Sequence, residues 1–164
     1  MRSNRDRNHS LRGLGRALAV AALSTVVSVS SALADEAKHD LPPGPIHDRH
    51  ELMEGVGANA KKIGAASKAG KPGDAVAPAE EIAAALVKFP GMFPAGSESP
   101  LSRAKPEIWT QKAKFDEMAK RGQEAALALA AAAKAGSDLK GTSVDMFKTC
   151  KACHDDFRLP KEGE

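Results

Sequence analysis

The chain has 164 residues, with 24 lysines and arginines against 21 aspartates and glutamates, and only two cysteines. Residues 1–34 hold five arginines and one aspartate, so the other 130 residues carry 19 basic against 20 acidic groups, a net charge of −1. That balance excludes a nucleic-acid binder, which needs a basic face, and two cysteines exclude a disulfide-rich scaffold.

Residues 1–34 read as a secretory signal. Arg2, Arg5, Arg7, Arg12 and Arg16 lead into an apolar run from Ala17 to about Val29, and Ala32-Leu33-Ala34 supplies the small-residue pattern that places cleavage before Asp35. The run is too short and too rich in Ser and Ala for a span, which takes about 20 apolar residues. No Arg-Arg pair marks the route for folded cargo. The expectation is an exported, soluble protein with one domain over residues 35–164.

Pro and Gly divide that domain into four helical segments. An extended lead ends in Pro42-Pro43-Gly44-Pro45. The first helix is predicted over 46–69, with Ile46, Met53, Val56, Ala60 and Ile63 on one stripe and His50 beside it. Gly55 and Gly57 weaken it, and mark either a close neighbour or a loose turn. Gly70-Lys71-Pro72-Gly73 ends it. The second helix is predicted over 78–89, with Pro78 at its first position and Glu80 and Glu81 at the positive end of its dipole. Ile82, Leu86 and Phe89 form its inward face. Residues 90–105 make a long connection in which Met92 and Phe93 plug the bundle end. The third helix is predicted over 106–135. Ile108, Phe115, Gly122 and Leu129 recur there every seven residues, with Met118, Ala125 or Ala126, and Ala132 between them, as in the seam of an antiparallel bundle. The fourth starts at Thr142 or Ser143 as N-cap and runs to about Arg158, with Val144, Phe147 and His154 on one side. Aromatic residues are scarce for a domain of this size.

The fourth helix carries Cys150-Lys151-Ala152-Cys153-His154. C-x-x-C-H is the attachment pattern for a c-type haem. Two thiols three positions apart share one side of a helix turn, within reach of the two vinyl groups of one haem, and the adjoining imidazole supplies the proximal ligand. A buried haem also provides the large flat apolar body that the side chains lack. A thioredoxin-like pair needs a βαβ setting, and no strand pattern is present. Structural zinc needs four ligands, and no second Cys/His pair has the spacing. A disulfide across two residues of a helix is strained. A haem-free helical protein with a labile cysteine pair is the remaining alternative.

With C-x-x-C-H on the last of four helices, the chain resembles the class II cytochromes c, the cytochrome c' family. Arg49 near the start of the first helix, Phe89-Pro90, Phe93-Pro94, Ile108-Trp109 and Phe157-Arg158 carry the resemblance with the haem motif, over essentially all of residues 35–164. It implies an all-α, antiparallel, left-handed four-helix bundle around one covalent haem c. Cys150 and Cys153 are then the thioether residues and His154 the fifth ligand. Arg158 packs by the exposed edge of that histidine, and Arg49 pairs with a haem propionate. The residue four after Arg49 packs over the distal face, and here it is Met53. High-spin members place Leu or a similar group there. The low-spin branch places Met, which implies Met53 as sixth ligand, with His50 its main rival. The resulting expectation is a periplasmic one-electron carrier with a His/Met-ligated low-spin haem and no enzymatic activity. Its partners are periplasmic or membrane-bound redox proteins, and it forms a homodimer in many members. The alternative is a five-coordinate, high-spin protein that binds nitric oxide or carbon monoxide.

Overall fold

The computed structural model describes residues 41–160. Lys38–Glu164 make one unit of the chain, to which all of these belong. The expected signal segment and cleavage site lie outside the described residues.

Helix α1, Pro45–Ala69, opens with proline at its first position after Gly44. It closes on Gly70, whose left-handed φ of 63° lets Lys71 N–H reach back to Ala66 O at 3.0 Å. A 3-10 turn, Pro72–Ala75, leads into α2, Val76–Lys88. A second such turn, Phe89–Met92, contains Pro90. After the long connection come α3, the single turn Glu107–Thr110, and α4, Lys112–Lys134. Gly136, at φ 68°, turns the chain toward α5, Lys140–Phe157. The described residues contain no strand beyond one isolated bridge, Ala104 to Arg158.

The chain runs up, down, up and down through α1, α2, α4 and α5. Packing is heaviest between α2 and α4, then between α4 and α5, then between α1 and α2. The α1–α5 pair touches far less. One core cluster fills the end where α1 finishes and α5 begins, with Ile63, Ile82, Leu129, Leu139 and Met146 all at most 2% exposed. The other end holds an aromatic cluster of Phe93, Ile108, Phe115 and Phe157, with Phe89, Met92, Trp109 and Cys153 packed on it. Polar ties also join the helices: Asn59 Nδ2 donates to Glu81 Oε2 at 2.7 Å, and Lys114 Nζ pairs with Asp156 at 2.9 Å beside the aromatic cluster.

The heptad of the third predicted helix holds, since Ile108, Phe115, Gly122 and Leu129 are all buried. The helix itself is broken at Gln111, at φ −120° and ψ 41°. The break turns the first piece so that Ile108 enters the aromatic cluster while Trp109 Nε1 donates to Pro94 O at 2.9 Å. Gly122 admits α2 closely: a Cβ there would lie 3.0 Å from Leu86 Cδ1. Gly55 and Gly57 serve neither expected purpose, since α1 is continuous through them and a Cβ at either meets nothing within 4 Å. The start of α5 also differs. Neither Thr142 nor Ser143 is the N-cap. Asp138 Oδ1 accepts the Lys140 N–H at 3.0 Å, and Ser143 Oγ donates back to Leu139 O at 2.7 Å. Met146 lies in the core, and Val144 is 45% exposed.

Candidate haem site

The last two turns of α5 bring the motif together. Cys150 and Cys153 are free and half-buried, and Cys153 packs against the aromatic cluster. Burial pushes both thiols up. Cys153 reaches about 11 because Cys150 and Asp156 add to the burial effect. Both sulfurs are therefore protonated near neutral pH, the reverse of the lowered pKa that a thiolate nucleophile or redox pair needs. Half-buried, protonated thiols beside a patch of rings fit covalent attachment to a flat apolar group.

His154 is half-buried on the same turn. Burial lowers its pKa first, the Arg158 and Arg103 charges lower it further, and Asp155 opposes them. The imidazole is thus neutral at physiological pH, the form that ligates a metal. α5 ends just beyond it, where Arg158 N–H donates to His154 O at 3.0 Å. Arg158 leaves the helix in extended conformation, at φ −121° and ψ 129°, and is exposed. It therefore does not continue the helical turn that its spacing from His154 suggests, although its charge still acts on the imidazole.

Arg49 is only 5% exposed. Its Nε donates to Pro45 O and its Nη2 to Ser97 O, each at 3.0 Å. The guanidinium carbon lies 4.5 Å from the Phe93 ring centroid, at the aromatic end of the bundle. Nη1 is buried with no hydrogen-bond partner among the described residues. A buried, unpaired cationic donor calls for an acceptor, and a haem carboxylate is an anion of the right kind. Cysteines, neutral histidine, rings and orphaned donor thus all suit a haem, for which His154 would be the protein ligand to the iron.

Met53 is half-buried on α1, outside both core clusters. His50 Nε2 lies 3.9 Å from Glu54 Oε1, within a group that includes Glu51. His47 faces Asp48, with Nδ1 3.5 Å from Oδ1. A cavity of about 250 Å³ near Ala66, Lys71, Ser137 and Leu139 lies at the opposite end of the bundle and belongs to no part of this site.

Two features escape sequence reading. The aromatic cluster unites Phe89 and Phe93 of the turn after α2 with Phe115 of α4 and Phe157 of α5, with neighbouring ring centroids 5.0–5.9 Å apart. Residues 103–105 also bind the end of α5, through Arg103 and Lys105. Nothing in the spacing of a loop arginine announces such a contact.

A four-helix bundle with C-x-x-C-H on its final helix defines a class, the helical haem proteins of the c type. The family model described as Cytochrome C' matches residues 44–158. The chain belongs to the cytochrome c' family. A cytochrome c' of Rhodopseudomonas palustris is 33% identical over 120 residues, covering 71% of this chain and 82% of the relative. One from Rhodospirillum rubrum is 30% identical over 148 residues, covering 87% and 97%. Among solved structures, cytochrome c' from R. palustris matches with a TM-score of 0.65 at 32% identity, over 73% of this chain and all but 1% of that one, at 99%. A nitric oxide complex of a leucine-to-valine variant of the Alcaligenes xylosoxidans cytochrome c' matches with a TM-score of 0.64 at 25% identity, over 71% and 94%. Like its relatives, the chain binds one covalent haem c, through Cys150 and Cys153.

The family membership overturns one expectation. Cytochromes c' are high-spin and five-coordinate, so the low-spin carrier with Met53 as sixth ligand is incorrect. No helix among the described residues is long and apolar enough to cross a membrane.

Proposed function

We propose that this protein binds a diatomic gas, nitric oxide or carbon monoxide, at a five-coordinate haem c, and performs no substrate chemistry of its own. Haem, when bound, would supply an iron able to take such a ligand. The chain supplies attachment, ligation and access. Cys150 and Cys153 anchor the group. His154 is the fifth ligand, and its lowered basicity keeps its lone pair available at neutral pH. Arg49 offers Nη1 to a propionate. Arg158 and its charge lie by the histidine. Met53 packs on the gas side and limits which molecules approach.

One observation carries the reading beyond family membership. Met53 and His154 stand on α1 and α5, the two neighbouring helices with the least direct contact. A bundle that packs tightly on three sides and sparsely on the fourth accepts a flat group between those two helices.

The proposal extends to location and partners. Residues 1–34 act as the export signal, residues 35–164 form the working domain in the periplasm, and the chain associates as a homodimer. A periplasmic or membrane-bound redox protein keeps the iron ferrous, the state that takes carbon monoxide. The test is the visible spectrum of the dithionite-reduced protein with and without carbon monoxide. A broad high-spin spectrum that shifts with the gas is expected. A sharp low-spin spectrum that ignores the gas refutes the proposal.

A further inference from the structure

We propose that Arg103 is a positioning residue for His154: it clamps the chain just past α5 and so sets the last turn of the helix that carries the haem motif. The inference rests on His154 as the axial ligand.

The clamp is a short strap. Residues 103–105 of the long connection run antiparallel to residues 157–159, bridged at Ala104 and Arg158. Leu159 N–H donates to Arg103 O at 2.8 Å, and Lys105 N–H donates to Phe157 O at 3.0 Å. The Arg103 guanidinium then closes on the same residue, with Nε at 2.9 Å and Nη2 at 2.6 Å from Leu159 O. Lys105 Nζ reaches Asp155 O at 2.7 Å. The last carbonyls of a helix lack intrahelical donors, and a cation there also complements the helix dipole. The strap meets both needs for α5 with residues 50 or more positions away in sequence.

The consequence for His154 follows from connectivity. His154 O is held by Arg158 N–H. Arg158 in turn sits between two strapped residues, Phe157 and Leu159. Fixing those two fixes the path of Arg158, and with it the closing bond on the histidine's own carbonyl. Arg103 thus acts on His154 by holding the turn that carries it. A fork of two donors on one carbonyl is a geometry that lysine, a point charge on a flexible stem, does not reproduce.

The experiment compares the wild-type haem protein with Arg103→Gln and Arg103→Lys. Two readouts are needed: amide exchange at residues 157–159, and the iron–histidine stretching band together with the reduction potential. In Arg103→Gln, exchange at the Leu159 amide is expected to quicken about tenfold, and the band and the potential to shift as the last turn of the helix loosens. Arg103→Lys is expected to lose part of the protection and to fall between wild type and Arg103→Gln in band and potential. Unchanged exchange in Arg103→Gln overturns the clamp. Faster exchange with band and potential at wild-type values reduces the strap to a structural tie and overturns the positioning role. Absence of any iron–histidine band in the wild type is a separate failure, that of His154 as ligand.

Discussion

Replacing Arg49 with methionine keeps an apolar stem and removes the guanidinium. The side chain is 5% exposed and donates to Pro45 O and Ser97 O at 3.0 Å each, tying the first turn of α1 to the long connection. Its guanidinium carbon also lies 4.5 Å from the Phe93 ring and 6.0 Å from that of Trp109. Two bonds from a charged donor contribute roughly 1.5–3 kcal/mol each, and the ring contacts about 1 kcal/mol more. Burial of the cation opposes this, as the lowered pKa of Arg49 registers, and offsets several kcal/mol of that sum. A net loss of about 2–4 kcal/mol is expected, measured by urea unfolding followed by far-ultraviolet circular dichroism. In the haem-loaded protein a propionate on Nη1 adds about 1.5–3 kcal/mol, so Arg49→Met should cost more there than in a haem-free chain carrying Cys150→Ser and Cys153→Ser. A loss under about 1 kcal/mol in both forms refutes the tie between α1 and the connection. Equal losses in the two forms refute the propionate pairing.

Met53→Leu should leave the ferric and ferrous spectra high-spin and change only gas affinity. A conversion from low-spin to high-spin in that variant restores the thioether ligand and sinks the five-coordinate reading. The unfolded haem-loaded protein should show no thiol reactive toward a disulfide reagent, because both sulfurs are thioethers, and two reactive thiols per chain contradict covalent attachment. In the haem-free chain, His154 has a folded pKa below its unfolded value. The unfolded state then binds more protons between those two values, so stability is full above about pH 6.5 and declines as pH falls through that window. Urea midpoints that are flat from neutral to mildly acid pH, with His154→Gln as reference, contradict this. Gly55→Ala should stabilise α1 by about 0.5–1 kcal/mol, since a Cβ there meets no atom within 4 Å. A loss of thermal stability contradicts the open surroundings.

The four helices were legible because their signals are local. Pro45, Gly70, Pro72 and Gly136 act through their own backbone angles, and the heptad of Ile108, Phe115, Gly122 and Leu129 acts through the helical period. The attachment motif was legible for the same reason: two thiols and an imidazole on adjoining turns need no distant help to face one way. Local reasoning erred where neighbours decide. The break at Gln111 goes with Trp109 reaching the Pro94 carbonyl, a contact made across the long connection. The face of α5 that buries Met146 and exposes Val144 is set by packing against the other helices.

Met53 marks the boundary most clearly. Its place on the first helix was readable from the spacing to Arg49, but whether a thioether binds iron depends on the packing that presses it there, which no single helix encodes. The same holds for Arg49, whose burial, ring contacts and orphaned Nη1 arise from Phe93 and Ser97 across the bundle end. It holds also for Arg103, a loop residue that meets Leu159 only after the chain has folded back. The sequence by itself determined the helices, their order and the covalent anchor, because each depends on residues within a turn or two of one another. The tertiary structure alone decided the strap on α5, the buried cation and the surroundings of the distal side chain, because each depends on groups that only packing brings together.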